Sequence, residues 1–200
     1  MKAVCLASGP SLTQEDVDLV KGWRDNTPDG FVIAANTTFR IAPWADAMFA
    51  MDPKWWKVHY REVCDVFEGE RFTTATLDSR FALTRLDRFS NYRNSGAACI
   101  ALAAMKGADR IVMLGYDCMK DGDKAHWHGS HPAGMSDAKT VALWPVIFDR
   151  LAKDMRRKGV QVVNASRRTA LKCFPRMDLD ECLEENWNAA DRFAAENRIP

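Results

Sequence analysis

The sequence has no paired cysteines, no long apolar run and almost no net charge, and each absence closes off a class of protein. Six cysteines, at positions 5, 64, 99, 118, 173 and 182, form no C-x-x-C pair. Scattered in this way, they are expected to be buried thiols of a reducing cytoplasm and not a disulfide scaffold. No apolar stretch approaches the roughly 20 residues that cross a bilayer. A strand pattern begins at the second residue, so no targeting segment and no membrane partner are expected. The formal net charge of +1 gives no global attraction to nucleic acid or anionic lipid. Three signatures are missing as well. There is no G-x-x-x-x-G-K-[ST] phosphate loop, no G-x-G-x-x-G at the first turn and no G-x-S-x-G elbow. P-loop hydrolysis, dinucleotide-dependent oxidoreduction and α/β-hydrolase chemistry are therefore disfavoured.

What is present is an alternation of short strands with helices. Residues 3–7, 31–35, 47–51, 72–76, 110–114 and 160–163 are short and apolar on both faces, as strands covered by helices on both sides must be. Between them, residues 13–24, 53–66 and 95–106 carry helical spacing, the last so rich in small apolar residues that it is expected to be buried on most sides. A long amphipathic helix is expected over 136–158, with Pro145 kinking or splitting it and Gly159 ending it. Two hundred residues, 47% hydrophobic and 28% charged, fit one domain. The expected fold class is α/β, a Rossmann-like doubly wound, mainly parallel sheet in a single domain over 1–200. Residues 178–200 are expected to add a helical C-terminal extension. The one long irregular stretch, 117–135, holds three of the four histidines, and its 118–135 part is expected to be an active-site loop.

Polar residues recur where these strands end. Ser8-Gly9-Pro10-Ser11 follows the first strand, and such a small-residue turn before a helix offers unpaired N–H groups to a phosphate. Asn36 follows the second strand, Asp52 the third, and Gly115-Tyr116-Asp117 the strand at 110–114, while Asn94-Ser95-Gly96 opens the buried helix. Each also reads as an ordinary cap or turn residue, but in a parallel sheet these ends converge on one edge, where ligands bind. Arg156, Arg157, Lys158, Arg167, Arg168, Lys172 and Arg176 crowd one stretch, either as an anion-binding face or as solvated helix caps. The cluster His126-Trp127-His128-Gly129-Ser130-His131 admits three readings: metal ligands, a general base, or a polar loop. The adjacent Trp55 and Trp56 read as core, as an acceptor platform, or as an interface in a homo-oligomer.

Taken together, Ala7-Ser-Gly-Pro-Ser-Leu12, Ala35-Asn36, Met51-Asp-Pro53, Asn94-Ser-Gly96, Leu114-Gly-Tyr-Asp117, His126-Trp-His-Gly-Ser-His131 and Val163-Asn-Ala-Ser166 form a collinear series. In order and spacing it resembles the bacterial sialyltransferases of glycosyltransferase family 42. It is similar, too, to the related family that includes flagellin-glycosylation accessory factors and archaeal hydroxymethylpterin diphosphokinases, whose small phage-encoded members share the Gly-Pro-Ser-Leu opening. The resemblance spans about residues 2 to 170. It implies that Ser8, Gly9, Pro10, Ser11, Asn36, Ser95, Gly96, Asn164 and Ser166 contact the nucleotide of a cytidine-type donor. It further implies that His131, with His128 in reserve, deprotonates the acceptor. The chain departs from the family at Cys118-Met119, where tyrosines hold the leaving phosphate, and at Asp52, where the family has asparagine.

The expected function is therefore transfer of a group from a nucleotide-activated sugar donor to a hydroxyl, inverting and without a metal cofactor. Phosphate would sit on the amides of residues 9–12 and 95–97, with Arg93, Arg167 or Arg168 standing in for the missing tyrosines. One alternative is ATP-dependent diphosphoryl transfer, with magnesium on Asp52 and Asp117. Another is a non-catalytic nucleotide-binding accessory protein.

Overall fold

The computed structural model describes residues 1–129 and 143–184. Its strands are β1 (Lys2–Leu6), β2 (Phe31–Ala35), β3 (Ala47–Phe49), β4 (Glu70–Thr73), β5 (Thr84–Arg85), β6 (Arg110–Leu114) and β7 (Gln161–Asn164). They form one sheet in the order β5-β4-β3-β2-β1-β6-β7, every ladder parallel. The helices are α1 (Gln14–Asp25), α2 (Pro53–Val66), α3 (Ser95–Met105), α4 (Trp144–Arg157) and α5 (Leu179–Leu183). Parallel strands need crossovers, and the crossovers place these helices on both faces.

The pleat sorts the strand residues between two cores. Ala3, Cys5, Ile33, Ala47, Phe49, Ile111 and Met113 pack with α3 and α4. Val4, Leu6, Val32, Ala34, Met48, Val112, Leu114 and Val163 pack with α1, α2 and α5. Because both faces are covered, these strands are apolar throughout rather than alternating, as the sequence implied. In α3 every residue from Gly96 to Ala103 is buried, and its alanines let it lie close against β1, β2 and β3. The doubly wound α/β fold is thus present.

Several local expectations are corrected. Pro145 lies in the first turn of α4, where its missing N–H costs nothing. Residues 136–142 of the long helix expected there lie outside the described residues, as do 185–200 of the expected C-terminal extension. Gly159, at φ +69°, follows the end of α4 as expected. Trp55 and Trp56 form no platform: both are buried in the α2 core, 5.1 Å apart edge to face. Their indole N–H groups donate to Thr37 Oγ1 and the Ala50 carbonyl. Cys5, Cys99, Cys118 and Cys182 are buried, but Cys64 is exposed and Cys173 half-buried; all six are free thiols. No helix among the described residues is long and apolar enough to cross a membrane.

Candidate functional site

The strand order reverses between β1 and β6: from β1 the chain builds outward to β2, and β6 then returns to its other side. In open parallel sheets the crevice above such a reversal is where ligands bind. A cleft of about 250 Å³ occurs there, bounded by the segments after β1 (Ala7–Gly9), β2 (Asn36) and β6 (Gly115, Tyr116, Cys118), the start of α3 and the start of α4. Of the candidates read from the sequence, Ser8, Gly9, Asn36, Ser95 and Gly96 lie on its wall.

The first turn does not offer the amides expected of it. The Gly9 N–H donates to the Gly115 carbonyl at 2.7 Å, Pro10 has none, and the Leu12 N–H returns to the Gly9 carbonyl at 3.1 Å. The Ser11 N–H and hydroxyl donate to the two carboxylate oxygens of Asp117, at 2.9 and 2.8 Å. A protein carboxylate therefore fills the place that a phosphate would need. Burial pushes the Asp117 carboxyl up, and the two Ser11 bonds pull it down. The packing is close enough to require glycine: a Cβ on Gly9 would lie 2.1 Å from Asp117 Oδ1 and 2.4 Å from the Gly115 carbonyl oxygen. Gly115 itself stands at φ +74°, with the Ala7 carbonyl oxygen 2.5 Å from any Cβ it might carry.

Three other expected ligand contacts turn out to be scaffold. Asn164 accepts from the Ser166 N–H at 3.0 Å and donates to Thr169 Oγ1 at 3.1 Å. Ser166 Oγ accepts from the Tyr116 N–H at 2.7 Å. Both side chains are buried; Asn164 braces the loop after β7 from within, and Ser166 ties that loop to the one after β6. Asp52 is the exposed N-cap of α2, accepting from the Lys54 N–H at 2.7 Å. None of these, nor Pro10, Ser11 or Asp117, lies on the cleft wall.

The start of α3 is arranged differently. Asn94 caps it, accepting from the Ala97 N–H at 3.1 Å, while the N–H groups of Ser95 and Gly96 make no hydrogen bond among the described residues. The Tyr116 hydroxyl donates to the Gly96 carbonyl at 3.0 Å and pins the turn from below. Beside these amides stands Arg93, exposed and with no carboxylate partner among the described residues. The other two arginines considered for phosphate are occupied. Arg167 grips Asp16 through two bonds, at 3.2 and 2.7 Å, and Arg168 pairs with Asp121 at 2.6 Å.

Backbone conformation marks the same cleft. Among the described residues, Asn36 (φ +50°), Arg93 (φ +51°) and Cys118 (φ +50°) are the only non-glycine residues in the left-handed region, and all three line it. Such residues cost about 1 kcal/mol or more each and tend to gather at functional sites.

Part of the histidine loop is tied down over the cleft. The Trp127 N–H donates to the Ser8 carbonyl at 3.0 Å, and the Trp127 indole reaches Thr38 Oγ1 at 3.5 Å. This brings His126 onto the cleft wall. His128 lies behind it, its ring stacked on His126 with centroids 5.1 Å apart. His131 and Ser130 lie outside the described residues. The sequence pointed to the histidine cluster but not to His126 within it. Trp144 and Phe148, which also line the cleft, were not singled out either, although a Trp-Pro pair at a helix start is a readable signal. Among the described residues no group of three or more His, Cys, Asp or Glu is placed to hold a metal ion. No protein-family model matches the chain, and no curated protein matches it.

Proposed function

We propose that the cleft binds the phosphate end of a nucleotide-activated donor, and that the chain is a glycosyltransferase-like enzyme moving the activated group to an acceptor hydroxyl. One observation supports this reading: the Ser95 and Gly96 amides and the Arg93 guanidinium, all without a partner among the described residues, share a single cleft with His126. Phosphate on the Ser95 and Gly96 N–H groups would meet the positive end of the α3 dipole. Arg93 would add charge-assisted hydrogen bonds that strengthen as negative charge builds on the departing group. His126 accepts the acceptor's hydroxyl proton, the freed oxygen forms the new bond to the donor carbon, and the nucleotide leaves with the electrons of the old one. That the donor is of cytidine type rests on the sequence resemblance alone.

The magnesium-dependent alternative draws less support from the geometry. It needs Asp52 and Asp117 together at the ligand, yet Asp117 spends both oxygens on Ser11, and Asp52 caps α2 away from the cleft wall.

Calorimetric titration of CMP, UDP and ATP, each in EDTA and in magnesium, tests the proposal. CMP binding in EDTA, with His126→Ala leaving affinity within about twofold while abolishing transfer from a CMP-sugar, is the expected result. Binding of ATP alone and only with magnesium would transfer support to the diphosphokinase reading. Binding of no nucleotide would overturn the proposal.

A further inference from the structure

The basic stretch near the C-terminus is sorted by the fold into two groups. Arg167 and Arg168 are paired with Asp16 and Asp121, Arg157 with Asp154, and Arg176 donates to the carbonyls of Ser166 and Arg167. Arg156, Lys158 and Lys172 are exposed and have no carboxylate partner among the described residues. These three are not scattered. Arg156 lines a second cavity of about 210 Å³, Lys158 adjoins its lining residue Gly159, and Lys172 adjoins its lining residue Cys173.

This cavity lies on the opposite side of β6 from β1, between β7, the end of α4 and residues 173–175. Its walls are mainly apolar, with Met155, Val160, Val162 and Phe174 foremost. None of its lining residues is acidic, and Asp149, beside Cys173, helps burial push that thiol's pKa up. Strand β7 is an edge of the sheet. Its Gln161 N–H turns inward to the Asp109 carbonyl, whereas Asn164 turns outward, accepting from Met177 and donating to Pro175. By the alternation of a parallel ladder, Val162 also directs its N–H and C=O to the outer edge. At Asn164 that edge is covered by Pro175 and Met177; Val162 instead lines the cavity.

An apolar notch, the backbone of Val162 and three cations, none of them with a hydrogen-bond or carboxylate partner among the described residues, describe one kind of occupant. We infer that this edge docks an extended segment of a partner protein, with one bulky apolar side chain seated in the notch and acidic residues on either side of it. The backbone of Val162 supplies strand pairing, the notch supplies selectivity, and Arg156, Lys158 and Lys172 select for acidic flanks. The site is separate from the nucleotide cleft and does not depend on what that cleft binds.

Selection of random dodecapeptides displayed on phage against the whole chain tests this. Enriched peptides should carry a leucine or aromatic residue between acidic ones. Their affinity should fall at least about tenfold in Lys158→Gln/Lys172→Glu and, separately, in Arg156→Glu. All three side chains are exposed, so melting temperature and the circular dichroism spectrum serve as controls for folding. A peptide with the acids kept and the apolar residue replaced by serine should bind at least about fivefold more weakly. The inference is overturned if no sequence class is enriched, or if enriched peptides bind the variants as well as the wild type. It is equally overturned if phosphatidylserine vesicles or a single-stranded oligonucleotide bind through the same three residues more tightly than any selected peptide.

Discussion

Two turns in this molecule look alike in sequence and differ in chemistry. Ser8-Gly9-Pro10-Ser11 and Asn94-Ser95-Gly96 are both short, small and polar, and both precede a helix on the same sheet edge. In the first, every amide from Gly9 to Leu12 is satisfied within the protein or absent, and the Asp117 carboxylate takes the position an anionic ligand would need. In the second, the Asn94 cap satisfies Ala97 and leaves Ser95 and Gly96 open beside Arg93. A small-residue turn is thus an anion site only where no internal acceptor has already claimed its donors. Both turns border the cleft, but the amides of one hold the sheet edge together while those of the other stand open to it.

The comparison can be broken most severely at Gly9. Gly9→Ala drives a Cβ into Asp117 and the Gly115 backbone, and a loss of roughly 3 kcal/mol or more in urea unfolding is expected. Asp117→Ala removes both acceptors of Ser11 and should cost about 1–3 kcal/mol in the same measurement. Asp117→Asn keeps the shape and sharpens the point through pH. Burial raises the folded-state pKa above the unfolded one, so the folded state binds this proton more tightly. The wild type should therefore lose stability as pH rises from the ordinary aspartate range through the raised value, and Asp117→Asn should lack that slope.

The second turn should respond in the opposite sense. Arg93→Ala should weaken nucleotide binding roughly tenfold and leave the melting temperature unchanged, since the guanidinium holds no carboxylate partner among the described residues. The smallest effect is expected at Asp52. Asp52→Ala removes a cap worth about 1 kcal/mol, and nucleotide affinity by calorimetry should not move.

Most of the fold was legible in the sequence, because residues such as Phe31–Ala35 and Arg110–Leu114 are apolar on both faces for the reason that determines the architecture. Strand β5 was not legible; two exposed residues pairing with β4 leave no hydrophobic pattern. The cleft was half legible. Recurring polar residues at strand ends marked the right edge, and Ser8, Gly9, Asn36, Ser95 and Gly96 do line it. Hydrogen-bond partners distant in sequence decided the rest. Nothing in Ser11 reveals that Asp117, 106 residues away, has claimed its N–H. Nothing in Asn164 or Ser166 reveals that the first is buried as a brace for its own loop and the second as a tie to Tyr116. His126 is brought to the cleft by a bond from Trp127 to Ser8, a pairing that spacing alone does not encode.

The central claim is that the start of α3, and not the turn after β1, receives the anion. Amide chemical-shift mapping during a CMP titration in EDTA tests it residue by residue. Large shifts of the Ser95 and Gly96 resonances are expected, with Gly9, Ser11 and Leu12 nearly still. Large shifts at Gly9, Ser11 and Leu12 with Ser95 and Gly96 unmoved would contradict it.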